Sequence, residues 1–355
     1  MTEPAATKLR LSSPGDLVEA VPYLLGFHPV DSLVAVALRG AGRRVVFTMR
    51  LDLPALGDAV DPAEVADLAS GVATYLARAR AEEAVLVTYG SGVAAGGELP
   101  DVALIRGIRG ALSRRGIEVT EALHVGAGRW WSHLCSNAAC CPPDGTPLVA
   151  GSSSAVAATA TYAGLVARPS REALEETLEP VGFLAAEGMR RALERAAADV
   201  AARRAEGTGV ESVRAESIAR LTAAVDGAGV GRTPVLSDDE VARLIVALQD
   251  VAVRDACCAW ATTDRSDPAR RLWTDLVCRS MPPWSSVPLF LVGWFAYLAG
   301  DATLAAMAVD RCLRGDATYR FALLLREALH RAVDPAVFRD GDRRAHRRSP
   351  VRRRR

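Results

Sequence analysis

Strand-type hydrophobic patterning stops near residue 150, and this change of period constrains the fold of the 355-residue chain more than any other feature. Before it, apolar runs and period-2 alternation are interleaved with helical stretches. After it, every apolar pattern has the helical period. A sheet can therefore be built only from the first 150 residues, and the rest has to bury its apolar faces helix against helix.

In the first part, Ser13-Pro14-Gly15-Asp16 supplies an N-cap, a proline at the first helical position and an acid three residues after the cap. That predicts a short helix, which Gly26 is placed to end. Leu33 to Leu38 is a continuous apolar run, as for a strand covered on both faces, and Val45, Phe47, Met49 and Leu51 alternate with Val46, Thr48, Arg50 and Asp52. The intervening RGAGR makes the two a hairpin. Asp61-Pro62-Ala63-Glu64 reads as a second capping box opening a helix to about Arg80. A buried strand (Ala84 to Tyr89), a helix (about Pro100 to Arg115), an alternating strand (Ile117 to Val125) and a hairpin arm (Arg129 to Cys135) follow. The order ββαβαββ implies a mixed sheet with helices packed on it.

From Gly151, helices are predicted over 154–164, 171–206, 211–226, 237–260, 268–280, 288–299, 303–314 and 318–332. Gly293, Gly300, Ala305 and Val309 suit a tetratricopeptide-like hairpin, but no second copy stands at the expected period, so an ordinary helical bundle is the reading. The fold class is α+β. A mixed α/β domain spans 1–150 and an all-α domain 151–338, and an arginine-rich tail expected to be disordered occupies 339–355.

The formal net charge of +1 conceals that tail. Nine arginines against two aspartates give the last 17 residues +7, so the preceding 338 carry −6. Lys8 is the only lysine, which points to a GC-rich coding sequence and discounts arguments from arginine abundance. MTEPAATKLRLSSPGDL has no apolar core before its Pro-Gly break, and seven cysteines is an odd number, so the expectation is a reducing, cytoplasmic setting. Val287 to Ala299 is too short to span a bilayer and reads as a buried helix; no membrane span is expected.

The least generic segment is WWSHLCSNAACCPPDGTP, residues 130–147. If 131–135 is extended, Trp131, His133 and Cys135 share one face, and the SNAAC loop returns Cys140 or Cys141 toward it. One imidazole and two or three thiolates suit zinc. Against this, there is no C-x-x-C, and adjacent Cys140 and Cys141 would normally point apart. The alternative is a set of small buried hydrophobes at a rigid Pro-Pro turn.

Three segments, SPGDLVEAVPYLLGFHPVDSLV within 11–34, WWSHLCSNAACCPPDGTPL at 130–148 and WFAYLAGDATLAAMAVDRCL at 294–313, together resemble a family of actinobacterial proteins classed as a domain of unknown function. The resemblance covers most of the chain except the tail, and its first two motifs are specific. It implies an actinobacterial source and a cytoplasmic protein, and brings no activity, substrate or catalytic residue with it.

Other candidate positions are weaker. His28, Asp31 and Ser32 lie between a helix end and the first strand and contain the residue types of a hydrolytic triad, but no G-x-S-x-G elbow supports one, and a capped turn is the simpler reading. Gly90 to Gly97 stands between strand and helix without the glycine spacing or lysine of a phosphate loop, and Tyr89 marks the strand end where a ligand would meet an open sheet. No motif supplies an acid/base pair, an activated nucleophile or a cofactor loop. The leading expectation is therefore a non-catalytic interaction or regulatory protein with a partner docked on its helical domain. The alternative is a metal- or thiol-dependent enzyme centred on His133, Cys135, Cys140 and Cys141. A third reading has the basic tail binding nucleic acid, weakly and in a salt-dependent manner.

Overall fold

The computed structural model describes residues 13–53, 61–90, 99–148, 154–162, 165–180, 182–227 and 235–339. The glycine-rich stretch 91–98 and the arginine-rich tail beyond Arg339 lie outside the described residues. The chain divides into two compact units, one comprising 1–174 with 331–334 and the other 175–330 with 335–355.

In the first unit, α1 (Pro14–Leu25) starts at the expected capping box and stops at Gly26, whose φ of +79° suits a residue without Cβ. Strands β1 (Ser32–Arg39) and β2 (Arg44–Asp52) form the predicted hairpin. Next come α2 (Pro62–Arg78), β3 (Glu83–Tyr89), α3 (Val102–Ser113), β4 (Glu118–Gly126), β5 (Arg129–Ser132) and a two-residue strand β6 (Thr146–Pro147) that the sequence had not indicated. Asp61 caps α2 through the Ala63 amide at 2.9 Å rather than closing the expected box with Glu64.

The sheet order is β2-β1-β3-β4-β5-β6, parallel between β3 and β4 and antiparallel elsewhere. This is the mixed sheet that ββαβαββ implied. The two parallel strands have their carboxyl ends side by side at Tyr89 and Val125. One sheet face, carrying Leu33, Ala35, Leu86 and Ala122, is covered by α2 and α3 in a single apolar core. Burial of Leu76, Ile108 and Leu112 in that core removes on the order of 2 kcal/mol of apolar exposure each. α1 lies against β2 and β4. The helix α4 (Ala155–Tyr162) packs beside α1.

The second unit is helical throughout its described residues. The predicted single helix over 171–206, which crosses the boundary between the units after Leu174, is divided into α5 (Arg171–Glu175), a 3-10 turn at Glu176–Leu178, and α6 (Phe183–Ala205). Pro180 is the reason, since the residue before a proline is pushed out of the helical region and Glu179 is extended at φ −71°, ψ 143°. After α7 (Val210–Asp226), the predicted helix over 237–260 is likewise two, α8 (Asp238–Ala247) and α9 (Val251–Cys258). At the break, Asp250 is extended and its carboxylate takes the Ala252 amide at 2.9 Å, a local bond that competes with helix continuation.

The remaining helices are α10 (Ser266–Cys278), α11 (Ser286–Ala299), α12 (Ala302–Gly315) and α13 (Arg320–His330). Trp273 is fully buried, stacked on Trp260 at 6.0 Å and edge-on to Phe295 at 5.9 Å. Gly293 earns its place between α11 and α12, where a Cβ would come within 3.2 Å of Val309 and 3.4 Å of the Ala305 carbonyl oxygen. That close crossing belongs to an ordinary helical pair. Among the described residues no helix is long and apolar enough to cross a membrane.

Candidate thiolate metal centre

The cysteine segment is anchored by β5. Strand pairing ends at Ser132, whose Oγ accepts the amides of Leu134 and Cys135, each at 3.1 Å, and donates to Glu121 Oε1 at 2.9 Å. This side-chain turn breaks the period-2 alternation that would have set Trp131, His133 and Cys135 on one face. From the other end, Trp131 Nε1 donates to the Pro143 carbonyl at 2.9 Å, and Arg129 donates to the Asp144 and Gly145 carbonyls at 3.2 and 2.8 Å. Gly145 sits at φ +74° with its Cα against the Trp131 indole, where a Cβ would overlap the ring. Residues 133–145 are thus held as a loop across the β5 hairpin.

Within that loop the Asn137 carbonyl accepts the amides of both Cys140 (3.1 Å) and Cys141 (2.8 Å). The resulting tight turn aims the adjacent side chains together instead of apart as in a strand. Cys135, Cys140 and Cys141 bring their Sγ atoms within 4.8 Å of one another, and Cys135 Sγ and Cys140 Sγ are 3.2 Å apart. Cys140 is exposed and the other two are half-buried. Hydrogen bonding with the Cys140 thiol, then the Asn137 backbone and the Cys141 thiol, holds the Cys135 pKa below the ordinary thiol value. Burial pushes Cys141 up to about 12, with its hydrogen bonds to the other two thiols adding to the effect. Cys135 therefore ionises before Cys141.

His133, expected as the imidazole ligand, is not part of this group. Its amide pairs with the Ala122 carbonyl at 2.8 Å, and its Nε2 is buried without a hydrogen-bond partner among the described residues. Burial lowers its pKa to about 4. Of the other expected positions, His28 and Asp31 are exposed. The His28 amide bonds the Arg168 carbonyl at 2.9 Å, and Asp31, at φ +42°, accepts the Leu53 amide at 3.0 Å. Ser32 and Tyr89 are direct partners across β1 and β3, both buried, with hydroxyls that lack partners among the described residues. Burial raises the Tyr89 phenol well above its ordinary pKa. The structure gives His28 and Ser32 no mutual hydrogen bond, so the triad residue types do not form a relay.

A relay that the sequence did not suggest stands at the carboxyl ends of β3 and β4. Thr88 Oγ1 lies 3.0 Å from His124 Nδ1, and Asp101, at the start of α3, bonds the same hydroxyl. Asp101 makes no cap to its own helix and takes φ +64°, its carboxyl directed to Thr88 and held above the ordinary carboxylate range by burial. Thr88 Oγ1 also reaches the Leu123 carbonyl at 3.5 Å, and the direction of its bond to Nδ1 follows the imidazole tautomer, with Nε2 as the ring's other nitrogen. That Nε2 is buried and unpartnered among the described residues. Burial, with the nearby His133 adding to it, lowers the His124 pKa to about 4.

Comparison with known proteins places the chain by family alone. No curated protein and no solved structure matches it. A family model described as Domain of unknown function (DUF4192) matches residues 14–336, which spans both units and the cysteine loop, and the chain belongs to that family.

Proposed function

We propose that the chain is a metal-binding protein in which Cys135, Cys140 and Cys141 hold one zinc-class ion. The supporting observation is the convergence of three Sγ atoms within 4.8 Å on a loop pinned at both ends. With Zn–S bonds near 2.3 Å, tetrahedral geometry puts ligand sulfurs about 3.8 Å apart, so the thiols need only small rotations to bind. Three thiolates favour a thiophilic ion, Zn²⁺ or Cu⁺, over Mg²⁺ or Ca²⁺. The fourth position falls to water or a partner's ligand. The ion would fix the 133–145 loop at the β4–β5 edge, and the free thiols suit a cytoplasmic setting.

Cobalt substitution tests this. Full-length protein given Co²⁺ should develop thiolate-to-cobalt charge-transfer absorption with one ion per chain. Each of Cys135→Ser, Cys140→Ser and Cys141→Ser should abolish or strongly weaken it, while His133→Gln retains it. Full absorption in the triple serine variant would overturn the proposal.

A second reading, a protein partner for the helical unit, is favoured by one observation. Phe290, Trp294, Tyr297, Tyr319, Phe321 and Phe338 form a continuous aromatic layer that emerges at Phe321 and Phe338, each 40% exposed. Leu324, 65% exposed, lies one turn along α13 from Phe321. Leu324→Glu should weaken association with a purified partner without lowering the melting temperature.

A further inference from the structure

We infer that Cys135 and Cys140 are a reversible oxidation site, joined as an intrachain disulfide by hydroperoxides, with Cys141 remaining a thiol. The pair is already in contact at 3.2 Å, across four intervening residues. Cys140 is exposed, so an oxidant reaches it without unfolding. The competing link between Cys140 and Cys141 is disfavoured by covalent geometry. Adjacent Cα atoms are about 3.8 Å apart across a trans peptide, whereas disulfides normally need at least about 4.4 Å.

The step balances with a hydroperoxide as co-reactant. One sulfur of the pair, as thiolate, attacks the terminal peroxide oxygen. An S–O bond forms, the O–O bond breaks, and the departing alkoxide or hydroxide takes up the proton that the thiol released. The second sulfur, giving up its own proton, attacks the sulfenic sulfur and expels hydroxide, which leaves as water. Two thiols and one hydroperoxide thus become one disulfide, one alcohol and one water. Sulfur is oxidised and peroxide oxygen reduced.

The disulfide itself needs no metal. Its consequence does rest on the metal reading: oxidation withdraws two of the three thiolates, and one remaining sulfur cannot retain the ion. Peroxide would then release the metal and free the 133–145 loop.

The test begins with full-length, metal-free protein and one equivalent of hydrogen peroxide, followed by alkylation and peptide mapping. The expected result is loss of two of the seven thiols, a Cys135–Cys140 link and an alkylated Cys141. Cys257 and Cys312, both fully buried, should remain reduced and serve as internal controls. Cys141→Ser should form the same link, and Cys135→Ser should form none within the loop. A Cys140–Cys141 link, or a Cys135 still fully alkylated after oxidation, would overturn the inference. In a second arm, zinc-loaded protein is oxidised in the presence of a chromogenic chelator. One zinc released per disulfide supports the release step, and disulfide formation with zinc retained refutes it. Failure of the protein to bind zinc would refute the metal reading while leaving the first arm to decide the disulfide.

Discussion

His124 makes the first unit sensitive to acid in a way that can be calculated. Unfolded, the imidazole titrates near 6.5; folded, burial holds it down to about 4. A histidine whose folded pKa is depressed stabilises the fold fully above the unfolded value, and that stability is lost as pH falls toward the folded value. The slope is about 1.4 kcal/mol per pH unit between 6.5 and 4, which comes to about 2 kcal/mol between pH 7 and 5 and levels off near 3 kcal/mol below pH 4. His124→Gln removes the titration and leaves a side chain able to bond Thr88. Denaturant unfolding of both proteins from pH 4.5 to 7.5 isolates the term, because titrating groups not coupled to His124 cancel in the difference and only the neighbouring His133 adds a small residual. The wild type should lose about 2 kcal/mol more than the variant on going to pH 5. Parallel stability curves would show that His124 accepts a proton freely in the folded protein, which its burial forbids.

Other substitutions separate the two units. Gly145→Ala places a methyl group in the Trp131 indole at a positive φ, pushing the loop off β5. It should lower metal affinity about tenfold, equivalent to about 1.4 kcal/mol, in a competition titration with a chromogenic chelator. Trp273→Ala empties the centre of the helical unit and should cost about 3 to 5 kcal/mol by denaturant melting, with metal affinity unchanged. Asp250→Ala removes the cap of α9 together with two bonds from Arg214 Nε at 3.0 and 3.1 Å; it should cost about 2 kcal/mol, and Asp250→Asn about half of that.

Much of this architecture is legible in the sequence because local chemistry and packing agree. Ser13, Asp16 and Gly26 bound α1 as capping rules require, and the apolar runs of β1 and β3 are buried on both faces. Helix continuity is less legible. Periodicity runs through Glu179-Pro180 and through Asp250, but the proline's restriction on its neighbour and the aspartate's bond to Ala252 interrupt the helix at single residues.

At the site, the sequence pointed to the cysteines and to a return of Cys140 or Cys141 toward Cys135, whereas the joining of both thiols of the vicinal pair was not legible, because it depends on one carbonyl, Asn137 O, taking two amides. The expectation that His133 and Cys135 share one face assumes that β5 is extended through Cys135, and Ser132 Oγ ends that extension. His124 escaped notice because it alternates with the apolar Leu123 and Val125 and so resembles a solvent position. In fact β4 is an interior strand covered on both faces, and His124 is 0% exposed. Thr88 joins it through a parallel register that no local pattern encodes, and Asp101 comes in from the start of α3.

The measurement that bears most directly on the three-thiolate centre is X-ray absorption at the zinc edge, on full-length protein purified without chelator or tag. The predicted spectrum shows about three sulfur neighbours near 2.3 Å and one lighter neighbour, and the sulfur shell is lost in the Cys135→Ser, Cys140→Ser, Cys141→Ser triple variant. A zinc ion surrounded only by nitrogen and oxygen, or a sulfur shell unchanged in the triple variant, would contradict the assignment.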